Sequence, residues 1–163
     1  MKLKDKVALV TGASRGLGKA ISLKLAAEGA RVTVNFMKNA DKAEEVVKEI
    51  ISGGGSAAAM RADITSLPEV EKMVDSLYEQ FGRIDILVNN AGVTKDELLL
   101  SMTPEDWDIV IRTNLGGLFN CTKAVAKYMM VQKSGRIINI SSVAGERGGR
   151  GQSRSRGWGP PRG

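Results

Sequence analysis

Residues 11–18 read Thr11-Gly12-Ala13-Ser14-Arg15-Gly16-Leu17-Gly18, and their reading decides the fold. A short β-type run (residues 6–10, KVALV) precedes them. A stretch with apolar residues at helical spacing (residues 17–28) follows, with Gly29 just past its end. A glycine-rich turn between a strand and a helix is built to hold a pyrophosphate. The glycines permit the tight turn and a close backbone approach, and the helix N-terminus offers unpaired N–H groups and a favourable dipole. Gly12-Ala13-Ser14-Arg15-Gly16 also fits the G-x-S-x-G nucleophile elbow. That match fails, because a hydrolase triad needs a histidine and the chain has none.

Bulk properties narrow the class further. The chain has 163 residues, 42% hydrophobic and 26% charged, in the ordinary globular range. No apolar run reaches the roughly 20 residues of a membrane span, and the start does not read as a secretory signal. A cytoplasmic protein is expected, or a matrix or stroma form after loss of a transit peptide. The single cysteine, Cys121, allows no intrachain disulfide and suits a reducing compartment. Without histidine there is no His-based metal site or general base, and no metal is expected. The net charge of +6 is uneven: from Glu146 onward there are five arginines and one acid, a balance of +4, which leaves +2 for all the rest.

Outward from the opening motif, strand and helix patterns alternate. Residues 31–35 (RVTVN) read as a strand. Residues 41–51 read as a helix with an acidic start and with Val46, Val47, Ile50 and Ile51 on one face. Residues 56–60 form a weak Ala-rich strand. Ser66-Leu67-Pro68-Glu69 resembles a capping box opening a helix to about residue 80. Residues 84–88 (IDILV) and 136–140 (RIINI) read as strands, and 103–112 and 115–131 as helices. This alternation, with right-handed crossovers, predicts an α/β, doubly wound parallel sheet. Residues 1–145 are expected to form a dinucleotide-binding domain. The Arg/Gly/Pro-rich tail, 146–163, is expected to be disordered.

Cofactor choice is also written into the second strand. NAD sites usually carry Asp or Glu about 20 residues after the glycines, on the ribose 2′-hydroxyl. Here the strand ends Asn35-Phe36-Met37-Lys38, without an acid. Arg15 and Lys38 would attract a 2′-phosphate that a carboxylate would repel, so NADP (NADPH) is the expected cofactor.

Taken together, TGASRGLG, Asp63-Ile64, Asn89-Asn90-Ala91-Gly92, Asn114 and Ser142 resemble the short-chain dehydrogenase/reductase family, over about residues 2–152. Within it the chain is most similar to 3-oxoacyl-[acyl-carrier-protein] reductases of fatty acid biosynthesis. The resemblance implies that residues 12–18 hold the cofactor phosphates and that Asp63, with Ile64 beside it, bonds the adenine. Asn90, Ala91 and Gly92 would line the adenosine side. Asn114 would interrupt its helix and hold a water in a proton relay, and Ser142 would hold the substrate carbonyl oxygen. It also implies a Rossmann-like α/β sheet of order 3-2-1-4-5, an acyl-carrier-protein-linked substrate and a homotetramer. The plainer alternatives are a strand end at Asp63, an ordinary turn at residues 89–92, a solvated helix residue at Asn114 and a backbone-capping hydroxyl at Ser142. Cys121, Trp107, Met129 and Met130 read as packing residues.

The pattern breaks near residue 152. The family's acid is a tyrosine in a Tyr-x-x-x-Lys motif, and Ser155 and Gly159 stand at those places. The only tyrosines, Tyr78 and Tyr128, are not followed by lysine four residues on. A shifted reading frame, alternative splicing or a sequencing error would each produce such an ending. The fold is therefore expected to stop after its fifth strand and to leave that strand's edge and apolar face uncovered. The family's main dimer interface uses the helix after the tyrosine, which argues against the same assembly here. Negligible reductase activity is expected, with a non-catalytic dinucleotide-binding fragment as the alternative. Nucleic-acid binding through Arg147-Gly148-Gly149-Arg150 and Ser153-Arg154-Ser155-Arg156 rests on one short tail with one aromatic, Trp158, and is not expected.

Overall fold

The computed structural model describes residues 1–142. Five parallel strands, β1 (Val7–Val10), β2 (Arg31–Phe36), β3 (Ser56–Arg61), β4 (Ile86–Asn89) and β5 (Arg136–Asn139), form one sheet of order β3-β2-β1-β4-β5. Between them lie the helices α1 (Gly16–Ala27), α2 (Ala40–Ser52), α3 (Leu67–Phe81), α4 (Pro104–Ile111) and α5 (Gly117–Gln132). This is the doubly wound arrangement that the alternation of patterns predicts.

The strand β1 shows why the sheet is covered on both faces. Its side chains alternate. Val7 and Leu9 pack with Leu77 of α3, Val125 of α5 and Leu87 of β4 in one core. Ala8 and Val10 pack with Val46 and Ile50 of α2, Val34 of β2 and Val88 of β4 in the other. All four residues of β1 are fully buried. The first crossover ends in a Schellman cap. The Ala30 N–H reaches the Leu25 carbonyl at 3.1 Å and the Gly29 N–H reaches the Ala26 carbonyl at 2.9 Å.

The chain leaves β1 toward β2 and β3, then crosses back to β4 and β5. The reversal lies between β1 and β4, the switch point at whose carboxyl ends such sheets bind ligands. At the opposite end, buried Asp85 ties the strand starts together. It accepts from the Val7 N–H at 3.0 Å, Arg83 Nε at 2.7 Å, Arg83 Nη2 at 2.6 Å and Lys6 Nζ at 3.2 Å. Burial pushes its pKa up, but the hydrogen bonds from Arg83, Val7 and Lys6 outweigh burial and hold the carboxyl at about 2.

Four expectations need correction. Ile51 does not share the buried face of α2: it is exposed, while Val46, Val47 and Ile50 are buried. The capping box does not close, and Ser66 makes no side-chain cap bond. Its intended partner Glu69 instead accepts from the Asp63 N–H at 3.0 Å and pairs with Arg61 at 3.7 Å. Trp107 and Met130 are exposed, at 44% and 77%, on the outer faces of α4 and α5, whereas Cys121 and Met129 are buried as expected.

The edge strand β5 leaves Ile137 and Ile138 partly exposed, because no further described strand pairs beyond it. The proposed boundary at 145/146 and the tail lie outside the described residues. Among the described residues no helix is long and apolar enough to cross a membrane, and no cluster of metal-ligating side chains occurs.

Candidate dinucleotide site

Thr11 anchors the turn that leaves β1. Its N–H donates to the Val88 carbonyl at 3.0 Å, and its Oγ1 accepts the N–H groups of Asn90 and Ala91, both at 3.0 Å. Asn90 returns the bond, Nδ2 donating to the Thr11 carbonyl at 2.9 Å and the Gly12 carbonyl at 3.2 Å. The ends of β1 and β4 are thereby locked across the switch point.

Gly12 has φ +61°, a left-handed conformation that disfavours side chains, and a Cβ there would lie 2.8 Å from Ala91 Cα. At Gly18 a Cβ would lie 2.5 Å from Asn90 Nδ2 and 2.6 Å from the Gly12 carbonyl. The loop therefore packs against both residues 89–92 and the first turn of α1. Arg15 is the N-cap of α1, and that first turn carries no acid. The N–H groups of Gly16, Leu17 and Gly18 belong to this turn, where no intrahelical acceptor exists, so the positive end of the helix is left for an external anion.

A cavity of about 540 Å³ opens at the carboxyl ends of the strands. Gly12, Ser14, Arg15 and Gly16 line it from the loop, Asn35 to Asn39 from the end of β2, Asp63 and Ile64 from the end of β3, and Asn90, Ala91 and Gly92 from the end of β4. Among the described residues neither Arg15 nor Lys38 is paired with a carboxylate. Asp63 is oriented by its own turn: Oδ1 accepts from the Thr65 N–H at 2.9 Å and Thr65 Oγ1 at 2.8 Å.

Beside it, a smaller cavity of about 100 Å³ is lined by Asn89, Asn90, Gly92 and Asn114. Asn114 lies in a π-helical turn, Arg112–Gly116, between α4 and α5, the interruption expected there. Its Oδ1 accepts the Val93 N–H at 2.8 Å and its Nδ2 donates to the Val93 carbonyl at 3.0 Å. This pair pins the loop that follows residues 89–92.

The sequence pattern of the short chain dehydrogenase family matches residues 6–154. The chain belongs to the short chain dehydrogenase family. A 3-oxoacyl-[acyl-carrier-protein] reductase of Synechocystis sp. is 55% identical over 151 residues, which cover 93% of this chain and 61% of the relative. The 3-oxoacyl-[acyl-carrier-protein] reductase FabG of Staphylococcus epidermidis is 50% identical, covering 91% and 61%. This chain thus spans about three fifths of the length of these curated relatives. Among solved structures, a metagenomic short-chain oxidoreductase in complex with NADP superposes with a TM-score of 0.87 at 38% identity, covering 93% of this chain and 68% of that one. A short chain dehydrogenase from Burkholderia cenocepacia in complex with NADP gives 0.84 at 37% identity, covering 91% and 60%.

Not every expected site residue of this short chain dehydrogenase chain faces the cavities. Ala13 is buried beneath the loop, Gly18 is buried against Asn90, and the Leu17 side chain is exposed beside the loop. Ser142 is exposed, three residues past the end of β5, and lines neither cavity. Ser155 and Gly159 lie outside the described residues. Both tyrosines sit elsewhere: Tyr78 and Tyr128 stack with ring centroids 4.0 Å apart between α3 and α5. The Tyr128 hydroxyl donates to Asp75 at 2.7 Å, and this bond raises the phenol's pKa.

Two residues stand in stretches that the sequence singles out but receive no role of their own from it. Thr11 carried a signal, a hydroxyl at a strand end ahead of the glycines. Asn35, 2% exposed near the end of β2, carried only its polarity between the apolar Val34 and Phe36.

Proposed function

We propose that these residues form the NADP(H)-binding half of a 3-oxoacyl-[acyl-carrier-protein] reductase of fatty acid biosynthesis. The observation that carries this reading is the single cavity joining the free amides of the α1 N-terminus to Arg15 and Lys38, with no carboxylate at the end of β2. A pyrophosphate fits the first, and a ribose 2′-phosphate fits the second. Asp63 and Ile64, with Asn90, Ala91 and Gly92 opposite, offer the walls for the adenosine.

When bound, NADPH supplies the hydride that goes to the ketone carbon of a 3-oxoacyl thioester, and the ketone oxygen takes a proton to give the 3-hydroxy product. The family resemblance gives Ser142 the role of holding that oxygen, although Ser142 lines neither of the two cavities, while Asn114 holds the loop at Val93. The proton donor is the weak point. Ser155 is an aliphatic hydroxyl, a far weaker acid than a phenol, and Gly159 has no charge to tune it. A positioned general acid contributes about 10²–10⁴-fold, roughly 3–5 kcal/mol of barrier. The chain is therefore expected to bind NADPH and to turn over a 3-oxoacyl thioester negligibly.

The test is a fluorescence titration with NADPH followed by an assay of NADPH consumption with a 3-oxoacyl thioester. Saturable binding without turnover is expected. Turnover well above background would overturn the inactivity, and failure to bind would overturn the reading as a whole.

A further inference from the structure

We propose that Asn35 is the positioning residue of the phosphate loop. The inference rests on the dinucleotide reading of the cavity and extends it to a residue beneath the loop. Asn35 Oδ1 accepts the Gly12 N–H at 3.3 Å, and the Asn35 carbonyl accepts the Ala13 N–H at 2.9 Å. On its other side Nδ2 faces only acceptors: the carbonyls of Ala62 at 3.2 Å, Met60 at 3.3 Å and Phe36 at 3.5 Å, and Met73 Sδ at 3.5 Å.

This environment dictates the orientation of the amide. With acceptors on one side and a loop N–H on the other, the nitrogen must face β3 and α3 and the oxygen must face Gly12. A carboxylate would set oxygen against three carbonyls, and a serine hydroxyl falls short of spanning the gap. The amide holds Gly12 at the height where its left-handed turn meets Ala91.

Two consequences follow for the ligand. The N–H groups of Gly12 and Ala13 are already consumed, so a pyrophosphate would have to take its amides from further along the loop and the first turn of α1. The end of β3, which carries Asp63, is tied to the same amide through Ala62. The Asp63 carboxylate itself is oriented separately, by Thr65, so what the Asn35 side chain sets is the height of the loop and not the adenine wall.

The test compares the full chain with Asn35→Leu, which keeps the volume and removes the polar atoms. Two ligands are titrated: NADP+, and adenosine 2′-phosphate, which lacks the pyrophosphate. The expected result is an NADP+ Kd raised about tenfold or more, with the adenosine 2′-phosphate Kd nearly unchanged. Unchanged NADP+ affinity, or an equal loss for both ligands, would overturn the positioning role. A second measurement needs no variant: amide hydrogen exchange of the ligand-free wild-type chain. Gly12 is expected to exchange slowly and Gly16 rapidly; equal, rapid exchange at both overturns the proposal even where Asn35→Leu fails to fold. If the wild-type chain binds neither ligand, the dinucleotide reading fails, and the Gly12 exchange alone decides whether Asn35 holds the loop.

Discussion

Replacing Gly18 with alanine tests the packing of loop, helix and residues 89–92 at their closest point. In an open helix the change would help, because Ala exceeds Gly in helix propensity by about 1 kcal/mol. Here the new Cβ would meet Asn90 Nδ2 at 2.5 Å, the Gly12 carbonyl at 2.6 Å and Ala13 Cα at 2.9 Å. Two of the three are backbone atoms, which cannot swing away. Either α1 is pushed off the loop or Asn90 is displaced. Overpacking of this kind costs about 1–3 kcal/mol. Displacing Asn90 also breaks its bonds to the Thr11 and Gly12 carbonyls, each contributing about 1 kcal/mol. The net expectation is a destabilisation of about 2–4 kcal/mol, a large share of the 5–15 kcal/mol typical of a domain. Urea unfolding followed by circular dichroism measures it, with Gly54→Ala as control. Gly54 has φ +80° but nothing within 4 Å of its would-be Cβ, so only backbone strain of about 1–2 kcal/mol applies. Stability of Gly18→Ala within about 0.5 kcal/mol of wild type would show that the loop, α1 and Asn90 are not packed this closely.

The other predictions concern charge and reactivity. Asp85 has a folded pKa of about 2 against an ordinary 3.8, so its stabilisation is fully present above about pH 4 and is lost as the pH falls toward 2. Asp85→Asn should cost about 2 kcal/mol at pH 7, and the gap in urea midpoint between variant and wild type should narrow as the pH is lowered; a gap independent of pH contradicts the assignment. Cys121 is fully buried, and burial pushes its thiol up to about 12. Alkylation at pH 8 should therefore proceed only at the rate of unfolding, and fast labelling of the folded chain would show that α5 does not pack as described. Lys38→Glu should weaken NADPH binding about tenfold or more while leaving NADH nearly unaffected; equal effects on the two would remove Lys38 from the 2′-phosphate site.

The doubly wound parallel sheet was legible because each strand–helix alternation admits one handed crossover, its strand order came with the family resemblance, and the loop was legible because its glycines fall between a strand and a helix. The features that the sequence hid are those decided by distant partners. Glu69 was a fair capping residue for Ser66 until the Asp63 N–H and Arg61 competed for its carboxylate. Trp107 and Met130 have the composition of core residues, and periodicity alone does not say which apolar stripe another element covers. Asn35 entered only as part of a strand end without an acid, because its distant partners lie 23 to 38 positions along the chain, at Gly12, Met60, Ala62 and Met73.

The cavity is proposed to hold a dinucleotide carrying a 2′-phosphate. The measurement that tests it most directly is a parallel fluorescence titration of the full chain with NADPH and NADH at low salt. Saturable binding is expected, with NADPH favoured at least about tenfold. Binding of neither, or equal affinity for the two, would contradict it.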